Sequence, residues 1–545
     1  MTIAVCAAIL ISYQYLILPI LVPPAPKRAS IQPPPAKTPA SRPGKPPVSQ
    51  TSAPSGKALQ APVKKREIPA KDIKIENDLY EIVISNKGGV IKSWKLKRYD
   101  DADGHDLQLV SLPSVTNNYF PLRLDFTNDG LNKRVKAGLF EFDNSEISLD
   151  RSHSTGRLTL TYVDEASLLK IEKILTFSFD SYSVKIEIQI YNSSNETRNV
   201  DYYLNWGYNL GRELKPGDHT YAYVGPESMV NGELNKDELG DIEGKLKIYD
   251  GSVSWAALQD NYFAAILVPK SMSSKVQVIK SGDSLGAIGV ASAKTALNPQ
   301  QETRDEFVLY GGPKLEKQLK KLNCNAAGII DYGWFGTLAR PTIAFLNYIN
   351  KFCGNYGISI IVLTILIKIV FLPLTQGSFK SMKKMQELQP KIAAIKAKYK
   401  KDSQKVNEET MALYRKHKVN PLGGCMPMVL QIPVFFALYK GLLVAIELRH
   451  SPFIPAVPFT DIPWLYDLSL KDPYYITSVL MGITMFFQQK MTPTTAEGGQ
   501  AKMMMLMPVI FTFMFLNFPS GLVIYWLVNN ILTIAQQALI NKSDD

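Results

Sequence analysis

Residues 358–374 read ISIIVLTILIKIVFLPL, an apolar run that contains one cation, Lys368. Counted from Tyr356, the run has the length of about 20 residues that a helix needs to cross a bilayer. A charge inside such a helix costs about 2.5–3.5 kcal/mol on insertion scales, so by default it marks a functional site. The alternative is a lysine stem that reaches the headgroups, because Leu374 lies only roughly 9 Å further along a helix.

The composition of the chain indicates more than one domain. It has 545 residues, 46% of them hydrophobic, and a formal net charge of +12. The long apolar runs are concentrated in the last 200 or so residues, whereas the middle of the chain alternates like a soluble β-rich protein. The positive charge favours anionic lipid or RNA surfaces without choosing between them.

The sequence lacks the common motifs of enzymes and metal sites. Its four cysteines form no CxxC and no Cys/His metal spacing. Walker A, GxGxxG and HExxH motifs are absent as well. These absences argue against an ATP-driven pump and the common hydrolases, so we predict a protein that is not an enzyme and needs no cofactor or metal.

The amino-terminal half predicts an anchor, a linker and a β domain. Residues 1–22 are mostly apolar and predict a transmembrane anchor, although Lys27 and Arg28 follow it and would favour an outside amino terminus. Residues 23–70 are rich in proline and predict an extended linker. Residues 71–325 alternate with period two and predict a large antiparallel β-sandwich, with a hairpin around Asn86-Lys-Gly-Gly89.

Residues 326–545 predict a helical membrane core. Residues 333–352 form either an amphipathic interfacial helix or an ordinary buried one. The loops at 447–472 and 490–502 are expected outside and in the cytoplasm, respectively. Five spanning helices are predicted, at residues 355–375, 426–446, 473–489, 503–518 and 522–540.

A strongly basic loop follows the first of these helices. Residues 376–420 carry 12 Lys and Arg against four Asp and Glu, which predicts a cytoplasmic location. Met382 and Met385 begin an apolar stripe with helical period, so the loop is predicted to fold as a helical hairpin with a basic exterior. A solvated charged loop is the alternative.

Polar residues recur inside the predicted spans. Thr364 and Lys368 are four residues apart and share a helix face. Lipid cannot satisfy polar groups, so those of the other spans must face one another or water: Gln431, Gln488, Asn517, Asn529, Asn530 and Gln536. They either hold the bundle together or line a wet cavity. No carboxylate lies in these apolar cores to neutralise Lys368.

Six collinear segments of the helical part are distinctive: Lys351-Phe-Cys-Gly-Asn-Tyr-Gly-Ile-Ser-Ile-Ile-Val-Leu-Thr364, Asn420-Pro-Leu-Gly-Gly-Cys425, Asp472-Pro-Tyr-Tyr-Ile476, Met481-Gly-Ile-Thr-Met-Phe-Phe487, Gln489-Lys-Met-Thr-Pro-Thr494 and Phe518-Pro-Ser-Gly-Leu-Val523. With these segments, about residues 333–541 resemble the YidC/Oxa/Alb family of membrane protein insertases. The amino-terminal layout is similar to the Gram-negative form, which has an anchor, a linker and a large periplasmic domain.

The resemblance implies a multi-pass bacterial inner-membrane protein that inserts and folds membrane proteins without a nucleotide, alone or with the Sec translocon. The family has a hydrophilic groove with one positive residue, usually arginine, and the matching position here is Lys368. The groove residues expected with it are Thr364, Gln431, Tyr525 and Trp526.

In the cytoplasmic hairpin, the residues expected to capture substrate are Met382, Lys383, Lys384 and Met385. Nascent membrane proteins, the Sec translocon and lipids are the expected partners, with no specific nucleic-acid sequence. Ribosome contact is expected to be weak, because the tail is short and ends Ser543-Asp-Asp545.

Two other classes of function stay open. A secondary transporter would bind a small anion at Lys368, although such folds usually contain internal repeats and none is visible in the sequence. A structural assembly factor would bind the translocon through the sandwich and the hairpin.

Overall fold

The computed structural model describes residues 69–101, 103–211, 223–282, 284–293, 296–399, 402–417, 419, 426–456, 463–491 and 499–543. The predicted anchor at 1–22 and the linker as far as residue 68 lie outside the described residues, as do positions 492–498 of the predicted cytoplasmic loop.

The described chain contains a β-rich part followed by a helical part. Its strands are β1 Asp72–Glu76, β2 Tyr80–Ser85, β3 Val90–Asp100, β4 Asp106–Gln108, β5 Arg123–Phe126, β6 Glu141–Phe142, β7 Glu146–Ser148, β8 Thr155–Asp164, β9 Leu169–Ser178, β10 Ser183–Asn192, β11 Arg198–Asn199, β12 Tyr202–Asn205, β13 Gly225–Val230, β14 Glu233–Lys236, β15 Leu246–Asp250, β16 Val253–Gln259, β17 Phe263–Pro269, β18 Lys275–Ser281, β19 Leu285–Ala291, β20 Ala296–Leu297, β21 Glu302–Pro313, β22 Ile454–Ala456 and β23 Pro463–Leu465.

Its α-helices are α1 Leu112–Thr116, α2 Asp129–Ala137, α3 Glu316–Lys320, α4 Gly336–Cys353, α5 Tyr356–Glu387, α6 Gln389–Lys398, α7 Ser403–Lys416, α8 Met426–Val444, α9 Ile476–Met491, α10 Gly499–Phe515 and α11 Ser520–Ser543. Short 3₁₀ turns lie at Leu239–Asp241, Ala326–Ile329, Gly333–Phe335 and Ile446–Leu448.

Three large sheets form the β-rich part. The longest has nine strands in the order β14-β13-β16-β17-β21-β10-β9-β8-β6, and two five-stranded sheets have the orders β4-β3-β2-β1-β7 and β15-β18-β19-β12-β5. Paired strands in these sheets are antiparallel except β1 and β7, which run parallel. In β10, buried positions alternate with less buried ones, as the period-two pattern predicts. The core between sheets contains three fully buried tryptophans, Trp94, Trp206 and Trp255.

The predicted hairpin around residue 86 is confirmed. β2 and β3 pair antiparallel, with Ser85 opposite Val90 at the turn. Gly88 and Gly89 take φ angles of 72° and 58°, a left-handed conformation that costs glycine little and other residues more. The turn therefore depends on this glycine pair, and its surroundings form a cavity described below.

In the helical part, α5 and α11 are long and apolar enough to cross a membrane, and the apolar stretches Gln431–Val444 and Met505–Phe515 are shorter. α5 has 32 residues, about 48 Å, whereas the sequence predicted a helix that ends at residue 375. It continues because Thr375, Ser378 and Met382 keep a buried stripe on the same helix. The first part of the predicted hairpin at 376–420 is thus an extension of α5, followed by α6 and α7.

Helix α4 covers most of the predicted interfacial segment at 333–352. Its buried face carries Ala339, Ile343 and Leu346, whereas Tyr348 and Phe352 on the opposite face are 54% and 75% exposed. An exposed aromatic face is typical of a helix that lies in a membrane interface.

The β-rich part contacts the loop that follows α8. Arg449 Nη2 donates to the Asp100 carbonyl oxygen, and its guanidinium lies over the Phe263 ring at 5.4 Å. Tyr99 packs edge-on against the same ring with centroids 5.3 Å apart. A cation and two aromatic rings therefore join strand ends of the β-rich part to the helical part.

Candidate functional site in the helical bundle

Lys368 lies on α5 and reaches towards α11. Its ammonium Nζ donates to Thr533 Oγ1 at 2.7 Å, and that hydroxyl in turn donates to the Asn529 carbonyl oxygen at 2.7 Å. The lysine side chain is partly buried, and within the described residues it has no carboxylate neighbour. The geometry thus places one cation inside the bundle with a neutral partner.

A small cavity opens beside this cation. Its volume is about 20 Å³, enough for one water molecule. Lys368, Thr375, Gln431 and Asn529 supply its polar lining, and Ile367, Phe371 and Leu374 supply the apolar one. Polar groups from three different helices, α5, α8 and α11, therefore meet at one point.

A polar stripe on α11 extends from this cavity. Asn529, Thr533 and Gln536 follow one another at helical spacing, and Gln536 Nε2 donates to Thr375 Oγ1 on α5 at 2.7 Å. Gln536 Oε1 is buried and has no partner among the described atoms. Because an unsatisfied buried oxygen costs free energy, this position favours a visiting donor or a water molecule.

An aromatic cluster bounds the site. Trp526 on α11 packs against Phe435 with ring centroids 4.7 Å apart, and against Phe515 at 5.3 Å. Tyr525 is buried, and its hydroxyl interacts with the Gln431 side chain. The aromatic cluster and the polar stripe therefore occupy successive stretches of the same helix.

The structure brings some of the predicted groove residues together and separates others. Lys368 and Gln431 line the same cavity, and Tyr525 contacts Gln431. Thr364 is buried and donates to the Ile360 carbonyl oxygen of its own helix at 2.6 Å, and it is not among the lining residues.

Thr533 and Thr375 were missed by the sequence prediction, although Thr533 lies four residues after Asn529 and three before Gln536. That spacing puts Thr533 on one helix face with two residues that the sequence had singled out. The periodicity of polar residues in the last apolar segment was therefore the available signal.

The hairpin residues differ in exposure. Met382 and Met385 are both 8% exposed and pack with Leu388, Ile392, Tyr414 and Val419 in a small separate core. Lys383 is partly buried and Lys384 is exposed. The two methionines therefore hold the hairpin together, and Lys384 is the predicted capture residue that lies at its surface.

The described residues offer no candidate metal centre. In these ranges no three His, Cys, Asp or Glu side chains are grouped closely enough to hold an ion. The arrangement can attract an anion and supply hydrogen bonds, without an acid/base pair for bond cleavage beside Lys368.

Comparison with known proteins covers nearly the whole described chain. Residues 72–345 match the model of the YidC periplasmic domain, and residues 348–545 match that of the 60Kd inner membrane protein. A relative from Geobacter sp. (strain M21), named membrane protein insertase YidC, is 41% identical over 87% of this chain and 86% of its own. One of the same name from Syntrophus aciditrophicus (strain SB) is 40% identical over 98% of this chain and 97% of its own.

A crystal structure of an active YidC insertase aligns over 85% of this chain and 92% of the insertase chain, with 18% identity and a TM-score of 0.36. The family assignment rests on the sequence comparisons, in which the aligned region extends through both the β-rich and the helical part. By these matches the chain belongs to the YidC family of membrane protein insertases.

Proposed function

We propose that the chain is a passive insertase of the bacterial inner membrane, which inserts and folds membrane proteins without a nucleotide. The observation that carries the proposal is the Lys368 ammonium, held between α5 and α11 by Thr533 with no carboxylate beside it in the described residues. An unpaired cation inside a membrane bundle is costly, so it is expected to serve an anionic visitor. Acidic residues in the translocated tail of a substrate are such visitors.

The proposed topology has five core spans, α5, α8, α9, α10 and α11, preceded by an amino-terminal anchor. The basic hairpin lies in the cytoplasm, as the positive-inside rule requires, and the β-rich part lies in the periplasm. The mostly antiparallel sheets of the β-rich part are proposed to form a sandwich, as the sequence predicts. This topology makes Lys368 reachable from the cytoplasmic side along the polar stripe of α11.

Two of these helices are short for a bilayer. α9 has 16 residues and α10 has 17, or about 24 and 26 Å, against about 30 Å for the hydrocarbon thickness. A short apolar helix thins the surrounding bilayer. Thinning shortens the apolar distance that a polar tail must cross beside Lys368, and so lowers the barrier to insertion.

The proposed insertion has two steps, a pause of the substrate at Lys368 and the transfer of its apolar segment into lipid. Unit charges 4 Å apart attract by about 4 kcal/mol at an effective dielectric of 20, so an acidic tail pauses at Lys368. The apolar segment of the substrate then moves into lipid, where burial yields roughly 25 cal/mol per Å². That second term grows with the length of the segment, and release therefore does not stall at the ion pair.

The hairpin is proposed as the first contact for a nascent segment. Lys384 is exposed there, and Met411 on α7 is 49% exposed, so the surface offers charge and an adaptable apolar side chain together. Met382 and Met385 support this surface by holding α5 against the shorter helices, and Lys383 adds a partly buried positive charge beside Lys384. The Sec translocon and lipids are proposed as further partners, with a weak contact to the ribosome.

Insertion into proteoliposomes tests the proposal. The purified chain alone, reconstituted without ATP, should insert a single-span substrate with an acidic translocated tail. Lys368→Arg should retain insertion, and Lys368→Ala and Lys368→Glu should reduce it by about tenfold or more. Lys440→Ala is the matched control, because this lysine lies on α8 and its stem packs near Gly333.

The outcomes separate the alternatives. Full insertion by both the Ala and the Glu variant would contradict a role for the cation. If the chain alone inserts nothing and acts only with translocon components present, the assembly-factor alternative stands. Uptake of a small anion that depends on Lys368, without insertion, would instead indicate a transporter.

A further inference from the structure

A second cavity lies in the β-rich part, beside the hairpin of β2 and β3. Its volume is about 140 Å³. Apolar side chains form part of its wall, namely Val90, Phe120, Leu124 and Val135. Four basic residues belong to the same lining: Lys87, Lys92, Arg123 and Lys136. An apolar wall with a few convergent charges is typical of a site for a small organic ligand.

The charges around this cavity do not cancel. Lys92 Nζ bonds the exposed Asp72 at 2.9 Å, while Arg123 and Lys136 share Asp125 at 2.8 and 3.0 Å. Four cations against two carboxylates leave an excess of two positive charges. A concave wall of one sign concentrates the field, so the cavity attracts anions.

Both carboxylate oxygens of Asp125 already accept hydrogen bonds from protein donors. One carboxylate oxygen accepts from Arg123 and Lys136, and the other accepts from Tyr119 Oη at 2.8 Å and Asn205 Nδ2 at 3.1 Å. These four donors hold the carboxylate in place. The carboxylate in turn fixes Arg123 and Lys136 at defined positions, which lowers the entropic cost of ordering these side chains when a ligand binds.

A fifth basic residue, Lys173, lies behind the wall. Lys173 is fully buried, and its Nζ donates to the carbonyl oxygens of Gly88, Gly89 and Leu122 at 2.9–3.0 Å. These carbonyl oxygens therefore accept hydrogen bonds from Lys173 and are not left to repel an anion in the cavity. Burial lowers the pKa of Lys173 to about 7, and a neighbouring anion would favour its charged form.

The position of the cavity indicates where its ligand comes from. Lys92 lies near the start of β3, and Asp100, which contacts Arg449 of the helical part, lies at its end. Eight residues along a strand span about 26 Å. The cavity and the contact with the helices are thus at opposite ends of β3, which favours a ligand that arrives from water.

We propose that this cavity is a binding site for a small water-borne organic anion, a phosphate or carboxylate on a short apolar body. The cations Lys87, Lys92, Arg123 and Lys136 would bind the anionic group, and Val90, Phe120, Leu124 and Val135 would contact the apolar part. This site is separate from Lys368 and does not depend on the insertase proposal.

Calorimetric titration of the full chain in detergent tests the site with three probes: phenyl phosphate, benzoate and neutral benzyl alcohol. We expect one site per chain for the two anions, no measurable heat with benzyl alcohol, and weaker binding at high salt. The double variant Lys87→Gln/Lys92→Gln should weaken phenyl phosphate binding at least fivefold. Both lysines are exposed, so the fold should be retained.

Lys185→Gln is the matched control, because it removes an exposed positive charge on β10 outside the residues that line the cavity. Equal affinity for benzyl alcohol and phenyl phosphate would overturn the proposal, as would unchanged binding by the double variant. Binding only to vesicles that contain phosphatidic acid, with none to the soluble anions, would indicate that the basic residues bind a lipid surface. That result would also overturn the proposal.

Discussion

Lys368 Nζ and Thr533 Oγ1 lie 2.7 Å apart and join helices α5 and α11, although the two residues are 165 positions apart in the chain. The hydroxyl accepts from the ammonium and donates to the Asn529 carbonyl oxygen, so both of its roles are filled. A lysine within an apolar helix of a membrane protein otherwise extends its stem towards the headgroups. The hydroxyl therefore holds the charge at the cavity.

Replacing Thr533 tests this holding role. Thr533→Val keeps the shape of the side chain but removes the acceptor, so insertion of an acid-tailed substrate should fall by roughly threefold to tenfold. Thr533→Ser keeps the hydroxyl and should restore most of the activity. The measurement is the inserted fraction in proteoliposomes, with and without acidic residues in the substrate tail.

The comparison of substrates distinguishes positioning from general damage. A substrate whose tail lacks acidic residues gains nothing from the cation, and its insertion should be similar with Val or Thr at position 533. An equal loss for both substrates would mean that Thr533 only supports the packing of α5 and α11.

Helix packing at Gly482 provides a second prediction. A Cβ built at this position would lie 1.9 Å from Thr512 Oγ1 on α10, so α9 and α10 approach closely only because residue 482 is glycine. Gly482→Ala should destabilise the bundle by about 1–3 kcal/mol, the usual cost of overpacking. The midpoint of thermal unfolding in detergent measures the effect.

Two further variants make the packing test specific. Adding Thr512→Ala removes the nearest atom and should recover much of the lost stability. Gly377→Ala on α5 is the control, since a Cβ there meets nothing within 4 Å. If Gly377→Ala lowered the midpoint as much as Gly482→Ala, the loss would not come from the contact between the two helices.

The sequence located Lys368 because a lone charge in an apolar run is conspicuous, but it did not identify the partner of that charge. Helix periodicity put Thr364 on the same face, yet its hydroxyl bonds Ile360 of its own helix, as threonines in apolar helices often do. Thr533 comes from a helix at the end of the chain, and periodicity within one segment carries no information about contacts between segments.

Local patterns predicted elements better than their ends. The period-two alternation predicted strands such as β9 and β10. However, β9 also buries Lys173, and the three surrounding carbonyl oxygens are what make a lysine tolerable there. The methionine stripe correctly predicted helices in the basic segment. Its buried side chains follow from packing against α7, which a list of residue spacings does not reveal.

The contact between Arg449 and the β-rich part is a third target. Burial lowers the pKa of this guanidinium, which nevertheless remains charged over the Phe263 ring. Arg449→Ala should loosen the contact, because the cation–π attraction and the hydrogen bond to Asp100 are both lost. We expect faster hydrogen exchange at Tyr99 and Asp100, with little change in strands far from the contact.

A matched arginine makes this measurement interpretable. Arg304 is an exposed residue of the same part of the chain and pairs with Glu187 at its surface. Arg304→Ala should leave exchange at Tyr99 and Asp100 unchanged. Unchanged exchange in the Arg449→Ala variant too would show that the aromatic rings alone maintain the contact.

Glu227 provides a pH-dependent prediction for the β-rich part. Burial raises the pKa of this carboxyl group to about 7, and its only described hydrogen bond comes from Gln259 Nε2. Between pH 4.5 and 7 the folded chain keeps a proton that the unfolded chain has lost. Stability therefore falls as pH rises through this window, by up to about 3 kcal/mol, and the full penalty is present above pH 7.

Glu227→Gln removes this penalty while it keeps an oxygen and adds a donor. The variant should unfold at a higher temperature than the unchanged chain at pH 7.5, and the difference should shrink towards pH 4.5. Glu306→Gln, at an exposed position of β21, is the matched control for the loss of one carboxylate from the β-rich part. Thermal scans of the full chain at the two pH values measure this. A stability gain of equal size at both pH values would contradict a titrating carboxyl group, because a gain from the added amide donor alone does not depend on pH.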